Sequence, residues 1–96
     1  MIEVRQTRTF ARWLAGLRDG RAKARILVQI RRLSLGNPGD VRPVGGGVSE
    51  MRIDVGPGYR VYFAARGNSL VVLLAGGDKD SQSRDVRRAI ELARET

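Results

Sequence analysis

The chain has 96 residues, with 18 lysines and arginines against 10 carboxylates, a formal charge of +8, and neither histidine nor cysteine. Without cysteine there is no disulfide framework, thiolate chemistry or zinc site; without histidine, His-based nucleases, Ser-His-Asp hydrolases and His-ligated metal centres are excluded. The charge favours a polyanionic partner, RNA or DNA first, with an acidic protein as the other option.

Only Lys23 and Lys79 are lysine; every other cation is arginine. Arginine bias alone can reflect a GC-rich genome, so the net charge carries more weight. The length predicts a single domain over residues 1–96 with one two-layer core. No stretch approaches the roughly 18 apolar residues of a membrane span, and Met1–Arg5 does not read as a signal peptide, so a cytoplasmic protein without membrane contact is expected.

Ile2–Gln6 alternates and predicts a short first strand. Thr7 or Thr9 can cap the helix that follows. Phe10, Trp13, Leu14 and Leu17 recur at helical spacing, which makes Trp13 a core residue before a base-stacking one. Asp19-Gly20 breaks that helix. A second helix is expected from about Arg21 to Leu35, with Ala22, Ile26, Ile30 and Leu33 buried. Arg21, Arg25, Val28 and Arg32 share another face, either solvated or a nucleic-acid contact. Gly36-Asn37-Pro38-Gly39 ends the helix. Asp40–Gly47 reads as a linker, with Arg42-Pro43-Val44 too short to assign as a strand. Its glycines, Gly45-Gly46-Gly47, read as a mobile loop or as a place where backbone nears a ligand.

Ser49–Val55 and Tyr59–Ala65 predict a hairpin around Gly56-Pro57-Gly58. Alternation puts Met51, Ile53 and Val55 on one face and Glu50, Arg52 and Asp54 on the other. Tyr59, Val61 and Phe63 likewise oppose Arg60 and Tyr62. A three-residue loop places Val55 opposite Tyr59, Asp54 opposite Arg60 and Arg52 opposite Tyr62, about 5 Å apart at Cβ. Arg52, Arg60 and Tyr62 then share a polar face, which is either solvated scaffold or a site. As a member of that face, Arg60 is expected to tolerate alanine without loss of fold. Leu70–Ala75 has no polar side and predicts a strand covered on both faces. Asp80 or Ser81 caps a last helix, Ser81–Arg94, with Val86, Ala89, Ile90 and Ala93 as its apolar stripe.

The order β-α-α-β-β-β-α makes the fold α+β: a small, mainly antiparallel sheet with an N-terminal helical hairpin and a C-terminal helix, the helices on one side. Lys79 sits between a buried strand and a helix start, beside Gly76-Gly77. There it can serve as a point charge for phosphate, as a proton carrier, or as a solvated turn residue. Asp78 and Asp80 beside it offset its charge. No nucleotide-binding loop is present.

Three runs, Asp40–Asp54, Gly56–Phe63 and Leu73–Gln82, carry Gly46-Gly47-Val48-Ser49-Glu50-Met51-Arg52, Gly58-Tyr59-Arg60-Val61-Tyr62-Phe63 and Gly76-Gly77-Asp78-Lys79-Asp80-Ser81-Gln82. Together they resemble the RelE/ParE superfamily, more narrowly the HigB-like addiction-module killer toxins of bacterial type II toxin–antitoxin systems. The resemblance implies a toxin that cleaves mRNA in the ribosomal A site without a metal or other cofactor. Its partners would be the ribosome, mRNA and an antitoxin, a small helix-turn-helix protein encoded adjacently. Arg52, Arg60 and Lys79 would be catalytic, holding the phosphate and stabilising its charge. Tyr62, Arg42 and Gln82 would contact substrate. The chain ends Leu92-Ala93-Arg94-Glu95-Thr96, without the terminal tyrosine or histidine of several mRNA-cleaving relatives. That leaves the ParE-like branch, which targets DNA gyrase and cuts no RNA, as the alternative. A basic interaction module without toxicity is the third reading.

Overall fold

The computed structural model describes residues 1–96. Five strands and three helices follow in the order β1 (Glu3–Gln6), α1 (Arg8–Ala15), α2 (Gly20–Ser34), β2 (Val41–Gly45), β3 (Val48–Ile53), β4 (Tyr59–Arg66), β5 (Leu70–Gly77) and α3 (Gln82–Glu95). They form one mixed sheet ordered β1-β5-β4-β3-β2, in which only β1 and β5 run parallel. The α+β class and the helical hairpin follow the sequence reading. The expected strand count does not, because the segment read as a linker supplies β2 and the turn after it. β2 tolerates Pro43 because it is an edge strand. Gly46, with φ +60°, sits in that turn, where an added Cβ would be 2.8 Å from Cγ2 of Ile90. The glycine run is therefore a packed turn between paired strands.

The helices cover both faces of the sheet, not one. Phe10, Ile26 and Leu33 from α1 and α2 pack on Met51, Ile53, Val61, Phe63, Val71 and Leu73. Ala89, Leu92 and Ala93 from α3 pack on Val48, Tyr62, Ala64, Val72, Leu74 and Ala75. Val71 and Leu73 of β5 feed one core and Val72, Leu74 and Ala75 the other, the reason its sequence has no polar side. Trp13 packs against the first core and lies 5.7 Å from Phe10 and 6.2 Å from Tyr59, ring centre to ring centre.

Local signals set the starts of α1 and α2, whereas Ser81, the residue before α3, makes no capping side-chain bond to that helix's amides. Thr7 caps α1 by accepting from the Phe10 amide at 3.0 Å. Asp19 caps α2 by accepting from Arg21 and Ala22. Tyr62 pairs with Ala75 and Phe63 with Leu73, leaving Leu74 as a bulge. The Thr7 hydroxyl donates to the Leu74 carbonyl at 2.6 Å, so the α1 cap also occupies the bulge. Beyond the bulge, Gly76 lies against Trp13 and Gly77 against Ser81 and Asp85 of the α3 start.

Candidate nucleic-acid site

The hairpin register decides which side chains meet. Ile53 pairs with Tyr59, Arg52 with Arg60 and Glu50 with Tyr62. The loop is thus the five residues 54–58, not three, and each expected pairing moves by two positions. The faces survive this shift, since two is the side-chain period. The neighbours change: Arg60 opposes Arg52, and Asp54 lies in the loop.

Arg60 is 7% exposed, and the carboxylate it pairs with is Glu50, itself fully buried. Its Nη1 also donates to the Gly58 carbonyl at 3.0 Å. Arg52 Nε lies 3.8 Å from the same Glu50 oxygen, while 36% of the Arg52 side chain stays open. Glu50 therefore ties both arginines together from below. The sequence held the clue, since Glu50 and Arg52 alternate onto the face of Arg60, but the shorter loop nominated Asp54 as the counter-ion.

Lys79 reaches the same corner from the end of β5, where Gly77 pairs with Arg60. Its amide donates to the Pro57 carbonyl at 3.4 Å. A Cβ on Gly58 would lie 3.5 Å from Lys79 Cβ and 3.6 Å from Arg60 Nη1, so Gly58 is flanked by both residues. Lys79 is exposed and has no carboxylate within 4 Å. Asp78 is engaged elsewhere: its Oδ1 accepts from the amides of Asp80 and Ser81 at 2.9 and 3.2 Å. Those two amides are thus filled by the protein's own carboxylate.

An open cavity of about 390 Å³ is lined by Asp40, Arg52, Ile53, Asp54, Gly58, Tyr59 and Arg60. Arg42 and Gln82 line a separate one of about 510 Å³ with Val44, Glu50, Ser83, Val86 and Arg87. The six residues named from sequence are therefore not one cluster. Arg52, Arg60 and Lys79 converge on the β3–β4 loop, and Arg42 and Gln82 lie elsewhere along Glu50.

Tyr62 is fully buried in the α3 core, so no base can stack on it as the chain stands. Its hydroxyl has no hydrogen-bond partner, and neither do the second oxygen of Glu50 and Nε of Arg52. Burial, then the charges of Glu50 and Asp85, push the Tyr62 phenol up to about 12. A raised phenol favours the neutral form in the fold, so its contribution to stability is intact below pH 10. That contribution is lost as pH rises from 10 towards 12. Tyr62→Phe is expected to remove this alkaline loss and to be neutral or stabilising below pH 9, since it deletes an unsatisfied hydroxyl. Melting temperatures of both proteins between pH 8 and 11.5 check this.

The model of a known family, described as phage-derived protein Gp49-like (DUF891), matches residues 12–96. The chain belongs to the Gp49-like family. A protein of Haemophilus influenzae (strain ATCC 51907 / DSM 11121 / KW20 / Rd), described only as uncharacterized, is 48% identical over 94 residues, spanning 98% of this chain and 95% of its own. No solved structure matches. The Gp49-like family is a RelE/ParE-like toxin family, associated with the toxins of toxin–antitoxin systems and hence with an antitoxin partner. No helix of the Gp49-like chain is long and apolar enough to cross a membrane.

Proposed function

We propose that this Gp49-like chain is a HigB-like toxin of the bacterial cytoplasm that arrests growth by ribosome-dependent, metal-independent cleavage of mRNA. Its antitoxin is a small helix-turn-helix protein encoded beside it. The observation that carries the reading is the convergence of Arg52, Arg60 and Lys79 on one loop at the mouth of an open cavity. Arg60 is fixed by Glu50 and Gly58 and acts as a preorganised cation. Arg52 and Lys79 are the accessible cations.

In this reaction the 2′-oxygen attacks the adjacent phosphorus and the bond from phosphorus to the 5′-oxygen breaks. A cyclic phosphate and a 5′-hydroxyl result. Cations held at the phosphate stabilise its developing charge with little reorganisation. Tyr62 is buried and held protonated, so it takes no proton from the 2′-hydroxyl. That proton leaves through water or a ribosomal group, and the departing 5′-oxygen takes one up from the same sources, which fits catalysis dependent on the ribosome.

Arg52→Ala is the clean test, because the side chain is half-open and its loss leaves the Arg60–Glu50 pair in place. The expected result is a folded protein with cleavage slowed by about 10²–10³-fold, the usual loss for one such donor. Induction in a bacterium with mapping of mRNA 5′ ends reads it. Discrete cuts with the parent chain and few with the variant support the nuclease. Intact mRNA with a DNA-damage response would replace it by the gyrase-poisoning alternative. One observation favours that second reading: Tyr62 is inaccessible, which leaves few groups for proton transfer.

A further inference from the structure

A second cavity, about 310 Å³, adjoins the first at the C-terminal end of β3. Its lining is Arg25, Val28, Gln29 and Arg32 from α2, with Asp40, Arg52, Ile53 and Asp54. The last four also line the cavity that contains Arg60. The two cavities thus share a wall and make one groove, running from α2 past Arg52 to the β3–β4 loop. Its α2 side is the arginine row that the sequence left open between solvent and nucleic acid.

We infer that this groove is the track for single-stranded RNA on one side of the scissile phosphate, with Arg25 and Arg32 gripping flanking phosphates. The inference rests on the RNA-directed reading above and extends its site onto α2. Arg25 and Arg32 are exposed and have no carboxylate within 4 Å, so both charges are free for a ligand. Arg32 is also held in place: its Nη1 donates to Gln29 Oε1 at 3.1 Å, and Gln29 Nε2 donates to the Pro38 carbonyl at 3.2 Å. Seven helical residues set the two arginines about 10 Å apart along the axis.

Asp40 and Asp54 select the occupant. An acidic protein segment would meet the arginines but would be repelled by these two carboxylates. A ribonucleotide strand carries anions along its backbone and hydrogen-bond donors on its sugars and bases. It satisfies cations and carboxylates in the same groove.

The test is fluorescence anisotropy of a labelled single-stranded RNA of about a dozen nucleotides, titrated with the full chain over a range of KCl. Each phosphate contact contributes about 0.7 to the slope of log K against log salt on a single strand. Arg25→Gln/Arg32→Gln is expected to keep the parent's melting temperature and to lower that slope by about 1.4. Arg25→Lys/Arg32→Lys is expected to retain it. An unchanged slope in the folded glutamine variant overturns the track, as does no RNA binding by the parent chain at low salt. So does equal parent affinity for polyglutamate. Should the slope fall while induced cells keep their mRNA intact, the track stands and the nuclease reading is the one that fails.

Discussion

Arg60→Ala is expected to lose about 3–5 kcal/mol of stability, because it leaves the buried Glu50 carboxylate with only the more distant Arg52. For a domain whose total stability is about 5–15 kcal/mol, that is a large share. The unfolding midpoint should fall by more than about 10 °C. Growth arrest should vanish as well, but largely because the folded protein is depleted. This reverses the expectation from sequence, which placed Arg60 on an outer face and had the alanine variant keep its fold. A compensated variant separates the two effects. Glu50→Leu/Arg60→Met replaces both charges by apolar groups of similar volume, and such exchanges are often neutral or stabilising. It should regain most of the lost midpoint while remaining non-toxic. An Arg60→Ala protein that melts with the parent would mean that Glu50 is not committed to Arg60.

Gly76→Ala is the second large effect. Its φ is ordinary, so the strain is purely steric: the new methyl would overlap the Trp13 ring. β5 lies between β1 and β4 and has no room to retreat. Forcing a carbon into such a contact costs typically about 1–3 kcal/mol and sometimes more. The chain has one tryptophan, so its emission reports directly on the displaced ring. Denaturant unfolding should show a lower midpoint, and emission should shift to longer wavelength before unfolding begins. Trp13→Leu in the same chain should recover part of the loss. A neutral Gly76→Ala with unshifted emission would show that Trp13 does not rest on this strand.

Much of the architecture was legible because it is local. Alternation placed Met51, Ile53, Val61 and Phe63 on one face and Glu50, Arg52, Arg60 and Tyr62 on the other, and the structure keeps those faces. Helical spacing identified the Phe10 and Ile26 stripes and the Arg25–Arg32 row. What failed depends on partners distant in sequence. β2 was missed because proline and glycine weaken any strand signal, and its existence comes from pairing with β3. The Leu70–Ala75 run called for cover on both faces, but not for α3 as the cover opposite α1 and α2, because an apolar stripe on α3 does not say which side of a sheet it meets. Tyr62 was read as a surface group for that reason: alternation gave its side correctly, and α3 then covered that side. Glu50 was passed over because the loop length, 54–58, depends on how the hairpin closes and not on Gly-Pro-Gly alone.

The Thr7 hydroxyl and the Leu74 carbonyl it grips are 67 residues apart. During synthesis the first strand emerges long before its sole neighbour in the sheet has been made. Until the fifth strand clears the exit tunnel, β1 has nothing to pair with and the α1 cap has no bulge to occupy. Contacts spanning most of a chain close late and limit the pace of folding. A nascent copy therefore completes its sheet only after the fifth strand has emerged, and products truncated before residue 70 leave β1 unpaired.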